Sequence, residues 1–96
     1  MDLRGLLESN REEIIRIATQ YGARNIRVFG SVVRGDTHED SDIDFLVEFE
    51  PGTSLLTHAS LVVALEDLLG HKVDVAPEKA LKDRIRKRVL SEALPL

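Results

Sequence analysis

Residues 29–47 read FGSVVRGDTHEDSDIDFLV and combine a glycine turn with a closely spaced pair of aspartates. Gly30 and Ser31 follow an apolar run, so we expect a strand that ends in a tight turn and opens a short helix. The backbone N–H groups and the hydroxyl at such a turn attract phosphate. Asp42 and Asp44 begin a second apolar run, and a spacing of two places both carboxylates on the same face of a strand. Two carboxylates held side by side favour the binding of a divalent cation.

The composition limits the classes of protein that the chain can represent. Its 96 residues predict a single domain, which we place at residues 1–96. Three Phe, one Tyr and no Trp leave no evident platform for stacking bases, so we expect no direct nucleic-acid binding. The absence of Cys excludes disulfides and thiolate metal sites and is compatible with a reducing compartment. No signal peptide is evident and no apolar run approaches the ~18 residues of a membrane span, so we expect a cytoplasmic protein.

Charged residues are unevenly distributed, although the net charge is only −4. The segment Asp36–Glu78 has eleven acidic residues and one basic residue, whereas Lys79–Arg88 has six basic residues and one acidic residue. The acidic residues therefore cluster where a cation is expected. We interpret the basic segment as the solvated face of a helix, with docking of a partner or steering of phosphate as the alternative.

Hydrophobic periodicity and turn residues predict the element order αβ(α)βαβα. Apolar residues recur at helical spacing over residues 2–21, and Gly22 would end this first helix. Pro77 suits the first turn of the last helix. The apolar stripe of that last helix comprises Leu81, Ile85, Val89 and Leu94. The other expected elements are strands at 26–29, 43–49 and 72–76, a helical turn at 31–34 and a polar loop at 36–41.

The long helix between the second and third strands is predicted to be extensively buried. Thr53 or Ser54 can cap its first turn, and Gly70 is its natural stop. Its apolar residues surround much of its circumference, which is typical of a buried helix. They are Leu55, Leu56, Leu61, Val62, Leu65, Leu68 and Leu69.

A third carboxylate can join the first two. Asp74 alternates with Val73 and Val75, so it faces away from the valines in a strand. If this strand lies beside the second, ~4.8 Å away, Asp74 can reach Asp42 and Asp44. Repulsion between the three carboxylates would raise the pKa of at least one of them when no metal is bound. Mg²⁺, and more specifically two Mg²⁺ ions with a nucleoside triphosphate, suits such a site, which predicts phosphoryl or nucleotidyl transfer.

These motifs resemble the signature of the DNA polymerase β-like nucleotidyltransferase superfamily, with the best match to its minimal nucleotidyltransferase (MNT) branch. The resemblance covers residues 26–75 and implies an α/β (α+β) fold in which a small mixed sheet packs against helices. It implies that Gly30 and Ser31 hold the triphosphate and that Asp42 and Asp44 bind the metals. It also implies that Asp74 orients or deprotonates the attacking hydroxyl. The matching residues are Gly30-Ser31, Arg34-Gly35, Ser41-Asp42-Ile43-Asp44 and Asp74.

Other polar residues have less specific roles. Arg34 could reach phosphate from the helical turn or brace the acidic loop. Ser41 is expected to bond to local backbone rather than to ligand. Tyr21 lies on the first apolar stripe and is expected to be a partly buried contact rather than a nucleotide acceptor. The histidines are expected to be separate surface residues rather than a metal cluster; they are His38, His58 and His71.

The resemblance to the MNT branch also implies a biological role. Members of that branch are antitoxins that transfer AMP from ATP to a tyrosine hydroxyl of a HEPN-domain ribonuclease toxin, so a hetero-oligomer with that toxin is expected. We expect no second, acceptor-binding domain, so a partner surface would present the acceptor. Two alternatives remain open: a non-catalytic antitoxin that blocks its partner by binding, and nucleotidyl transfer to a small molecule.

Overall fold

The computed structural model describes residues 2–35 and 41–96. Within these ranges a four-stranded mixed sheet is packed against helices, which is the fold class that the sequence predicts. The elements are α1 (Leu3–Ser9), α2 (Arg11–Gln20), β1 (Ala23–Phe29), α3 (Ser31–Arg34), β2 (Ile43–Phe49), α4 (Leu55–Leu69), β3 (Val73–Pro77), a 3₁₀ turn (Glu78–Ala80), α5 (Asp83–Glu92) and β4 (Leu94–Pro95).

The sheet has the strand order β3-β2-β1-β4. Strand β2 is antiparallel to β1 and parallel to β3, and β4 is antiparallel to β1. The alternation of side chains along β2 places Ile43, Phe45 and Val47 on one face, where all three are fully buried. These residues form the main core with apolar side chains of α1, α2 and α4.

The other face of the sheet carries a smaller buried group. Leu46 points away from the main core and is nevertheless fully buried. Val89 is the buried residue of α5, and it too lies outside the main core cluster. Helix α5 therefore packs separately from α1, α2 and α4. None of the helices in the described residues is long and apolar enough to cross a membrane.

The first predicted helix is interrupted at Asn10, so the expected single helix over residues 2–21 is wrong. The backbone of Asn10 leaves the helical region, and its side-chain amide donates to the carbonyl of Leu6 at 2.9 Å. An asparagine side chain that bonds to nearby backbone competes with a continuous helix. The apolar stripe nevertheless faces the core on both helices. Its buried members are Leu3, Leu7, Ile14 and Ala18.

The last helix begins later and ends earlier than its apolar stripe indicates. Pro77 is the final residue of β3, with extended backbone, and is not in the first turn of a helix. Leu94 lies beyond α5 and pairs with Val28 as part of β4. A residue that precedes proline is disfavoured in helical conformation, and Pro95 follows Leu94 directly. The stripe predicted on one helix is therefore divided between the 3₁₀ region, α5 and β4.

Helix α4 has the predicted ends but not the predicted burial. The side chain of Ser54 accepts a hydrogen bond from the backbone N–H of Thr57, and Gly70 adopts the left-handed conformation at the other end. The buried face comprises Leu61, Leu65 and Leu69. Leu55 and Leu56 in the first turn are 87% and 78% exposed, so the expectation of extensive burial is wrong there.

The remaining comparisons between prediction and structure concern the ends of the strands and a few individual residues. β1 begins at Ala23, three residues before the predicted start, and β3 extends one residue beyond its predicted end. Tyr21 is partly buried against the core, as predicted. His58 is also partly buried, with Nε2 2.8 Å from the carbonyl oxygen of Val75, so the expectation of a surface histidine is wrong for it. The predicted loop at 36–41 and His38 lie largely or wholly outside the described residues.

Candidate active site

The centre of the candidate site is a pair of aspartates on neighbouring strands. Asp44 of β2 and Asp74 of β3 occupy matched positions in the parallel register. Their neighbours in the chain point into the main core, so both carboxylates are on the opposite face. Asp74 is exposed, Asp44 is half-buried, and Asp42 is exposed just before β2 begins. The adjacency of the two strands, on which the sequence prediction depended, is confirmed.

The half-buried position of Asp44 changes its acidity. Burial is the largest cause that raises the pKa of Asp44 to about 6, and repulsion from Asp74 and Asp42 adds to it. The positive charge of Arg34 acts in the opposite direction, and Glu92 raises the pKa further. The pKa of one clustered aspartate is therefore raised, as predicted, but burial is the main cause and the predicted repulsion between carboxylates is the second.

Gly30 lies at the turn between β1 and α3 and packs directly against Asp44. Its φ of 79° is in the region that side chains other than glycine rarely adopt. A Cβ at this position would overlap with Oδ2 of Asp44 and lie 3.2 Å from its Cγ. The turn therefore requires glycine for two reasons, its backbone conformation and the close approach of the carboxylate.

The short helix α3 forms as the sequence predicts. The N–H groups of Val33 and Arg34 donate to the carbonyl of Gly30, both at 3.1 Å, and Gly35 closes the turn in the left-handed conformation. Val32 is buried in the main core and fixes the helix to the sheet. Ser31 is the first residue of this helix and is partly exposed beside the glycine turn.

Glu92 is a residue of this region that the sequence reasoning missed. Its Oε1 is 2.8 Å from Nη1 of Arg34, and its Oε2 accepts a hydrogen bond of 3.3 Å from the backbone N–H of Gly30. The side chain of Glu92 is 15% exposed, whereas that of Arg34 is 50% exposed. Arg34 therefore has an ion-pair partner that neither of its two predicted roles included. Among the sequence signals we used, none connects Glu92 with a turn 62 residues earlier.

The donors present suit a magnesium site that is completed by substrate. Within residues 2–35 and 41–96, no three His, Asp or Glu side chains converge on a common point that could hold a metal ion. Mg²⁺ commonly takes only one or two protein carboxylates and completes its octahedral shell with water and phosphate oxygens. Asp44 pairs with Asp74 in the strand register, and both Asp74 and Asp42 repel its charge, so these carboxylates fit this pattern and a bound cation would relieve their repulsion.

Comparison with known families defines the class of this domain. Residues 11–96 match the model of a nucleotidyltransferase domain, so the chain belongs to that family and is a nucleotidyltransferase by class. It is similar to the protein adenylyltransferase MntA of Thermococcus cleftensis. The two are 42% identical over 93 residues, which cover 97% of this chain and 91% of that protein. The resemblance to MNT proteins that the motifs indicate is confirmed.

Solved structures extend the similarity to three dimensions. A structure described as that of a minimal nucleotidyltransferase superposes with a TM-score of 0.88 at 51% identity, and covers 100% of this chain and 97% of that chain. The fold also matches a chain of the complex between a tri-AMPylated Shewanella oneidensis HEPN toxin and its MNT antitoxin. That match has a TM-score of 0.70 at 19% identity and covers 92% of this chain and 69% of that chain.

Proposed function

We propose that this protein is a Mg²⁺-dependent protein adenylyltransferase that acts as an antitoxin. In this proposal it transfers AMP from ATP to a tyrosine hydroxyl of a cognate HEPN toxin. The observation that carries the proposal is the register pairing of Asp44 with Asp74, directly beside the Gly30 turn. The similarity to an MntA protein adenylyltransferase supports the adenylyl group and a protein acceptor.

Each candidate residue has a defined role in this proposal. The backbone N–H of Gly30 and the hydroxyl of Ser31 bind the triphosphate, and Arg34 adds a positive charge at the same turn. Asp42 and Asp44 are the metal ligands, with Asp74 as the third carboxylate. Two Mg²⁺ ions, when bound, would offset the charge of the carboxylates and phosphates and favour ionisation of the attacking hydroxyl.

The transfer step follows from this placement. The tyrosine oxygen attacks the α-phosphorus of ATP, the bond from that phosphorus to the oxygen bridging to the β-phosphate breaks, and diphosphate leaves. Asp74 is exposed on the rim beside Asp44, so it can meet an incoming hydroxyl and accept its proton. A proton acceptor in hydrogen-bond reach of the nucleophile typically contributes ~10²- to 10⁴-fold in rate.

The partner assignment rests on the toxin–antitoxin relatives. A chain of a HEPN toxin–MNT antitoxin complex shares this fold, and the toxin in that complex is AMPylated. A hetero-oligomer of this protein with a HEPN toxin is the corresponding proposal. The exposed Leu55 and Leu56 are candidate contacts for a protein partner, because exposed apolar patches mark protein contacts. The same contacts would serve a second function, in which the protein protects cells by binding its partner alone.

Intact-mass measurement of the candidate HEPN partner separates the two functions. We expect one or more AMP units to be added after incubation with this protein and MgATP, and none when Mg²⁺ is chelated. The double substitution Asp42→Asn/Asp44→Asn should abolish the mass gain, whereas Asp67→Asn on the exposed side of α4 should not. A double variant that still protects cells without modifying the toxin would favour the blocking function.

A further inference from the structure

Glu92 contacts two hydrogen-bond donors, at Gly30 and Arg34, that the proposed function assigns to phosphate binding. Its two carboxylate oxygens contact the backbone N–H of Gly30 and the guanidinium of Arg34. An anionic group with two oxygens, bonded to one backbone N–H and one arginine, uses the same chemistry that a phosphate oxygen pair would use there. A phosphate group that binds at this turn therefore has to compete with the carboxylate of Glu92 for the same donors.

The surroundings of this carboxylate are otherwise unfavourable to it. Asp44 lies against Gly30, and Glu92 contributes to the repulsion that Asp44 experiences. The positive charge among the contacts described for Glu92 is the guanidinium of Arg34, at 2.8 Å. The side chain of Arg34 is half exposed to solvent. The exposure of Arg34 weakens this ion pair, so a ligand with more negative charge can compete for the guanidinium. Glu92 is only 15% exposed, so its displaced carboxylate has to turn towards solvent.

The attachment of Glu92 to the fold also permits displacement. Glu92 is the last residue of α5, a helix in which Val89 is the buried residue. Beyond it, β4 joins β1 through two register pairs, Arg27 with Pro95 and Val28 with Leu94. The carboxylate is therefore carried on a helix end with few apolar contacts, next to a two-residue strand at the edge of the sheet.

We infer that Glu92 is an internal competitor of the triphosphate, and that its carboxylate occupies the Gly30 and Arg34 donors until nucleotide displaces it. This inference rests on the proposed nucleotide site. The apparent affinity for nucleotide is lowered in proportion to the fraction of molecules in which the donors are open. If the contact is made in most molecules, its removal tightens nucleotide binding by about tenfold.

Titration calorimetry with two probes tests the competition directly. The probes are MgATP and inorganic triphosphate without Mg²⁺, and the variants are Glu92→Gln and Glu92→Asp. Glu92→Gln should bind both probes about tenfold more tightly than the unsubstituted protein. Glu92→Asp keeps the negative charge but shortens the reach, so a similar gain would show that the contact, and not charge alone, weakens binding. Glu13→Gln is the matched control, because Glu13 pairs with Arg16 at 2.6 Å on the exposed side of α2.

The NMR signal of the Gly30 amide reports directly whether Glu92 is bonded to it, which binding affinity alone does not. In the unsubstituted protein, triphosphate should shift this signal. In Glu92→Gln the signal should already be shifted before ligand is added, because the N–H of Gly30 has lost its carboxylate acceptor. Unchanged or weaker binding by both Glu92 variants would overturn the inference and make Glu92 a residue that positions Arg34. If the unsubstituted protein and both variants bind neither probe, the nucleotide site itself is wrong and the inference fails with it.

Discussion

Replacement of Asp44 by asparagine should stabilise the metal-free protein at neutral and alkaline pH. Asp44 has a pKa of about 6 in the folded protein, against 3.8 as the ordinary value. The folded state therefore retains a proton that the unfolded state releases. The favourable contribution of protonated Asp44 is complete below about pH 4 and is lost as the pH rises through 6. Above pH 6 the ionised carboxylate opposes folding, and asparagine removes that charge.

The size of the effect follows from the pKa difference. A shift of about two pH units corresponds to about 3 kcal/mol as an upper limit. Asp44 is only partly buried, so screening by solvent reduces this figure and we expect about 1–2 kcal/mol. For a domain of this size, each kcal/mol raises the melting temperature by roughly 4–8 °C. Asp44→Asn should therefore melt about 4–16 °C higher at pH 8 and show little gain at pH 4.

Thermal unfolding and urea unfolding with a metal chelator, monitored by circular dichroism at pH 4 and pH 8, measure the differences in melting temperature and in free energy of unfolding. Asp67→Asn on the exposed side of α4 is the control, because it removes one negative charge that is not among the causes of the raised pKa of Asp44. Equal gains at the two pH values, or a loss of stability at pH 8, would refute the electrostatic reasoning. Addition of Mg²⁺ should stabilise the unsubstituted protein at pH 8 more than it stabilises Asp44→Asn, because the variant lacks a charged ligand.

Two further substitutions test packing at and near the site. Gly30→Ala should lower the free energy of unfolding by about 2–4 kcal/mol in urea, since its Cβ overlaps with Asp44 in addition to the strain of a positive φ. Gly52→Ala, at φ 84° with open space around its Cβ, should cost about 1 kcal/mol, and equal losses would contradict the steric argument. His58→Ala should cost about 1–2 kcal/mol because it leaves a carbonyl of β3 without its 2.8 Å partner. A loss no larger than that of His71→Ala would show that the His58 contact contributes little.

Local patterns allowed the aspartate pair and the glycine turn to be predicted. Alternation of Asp with apolar residues in β2 and β3 defines which side chains share a face, and that property depends on neighbours two positions apart. The break at Asn10 was missed because the apolar spacing from Leu7 to Ile14 is compatible with a continuous helix. Periodicity reports the face that a residue occupies and does not report whether the backbone between two buried residues stays helical.

Contacts between distant segments could not be read from the same patterns. The position of Glu92 depends on how α5 is oriented on the sheet. The single buried valine of α5 does not predict that orientation. The exposure of Leu55 and Leu56 likewise depends on how far the first turn of α4 extends beyond its neighbours. Both features arise from tertiary packing, which local propensity does not determine.

The mixed direction of the strands has a geometric consequence for the site. Because β1 runs opposite to β2 and β3, the end of β1 and the beginnings of the other two strands meet at one rim of the sheet. Reversal of β1 alone would carry its exit turn along the seven residues of β2. The six steps between these residues span about 20 Å, too far for one nucleotide triphosphate chain to reach from the turn to Asp44. The antiparallel first strand therefore brings the Gly30 turn and the carboxylates of β2 and β3, the proposed phosphate and metal sites, within the length of a single substrate.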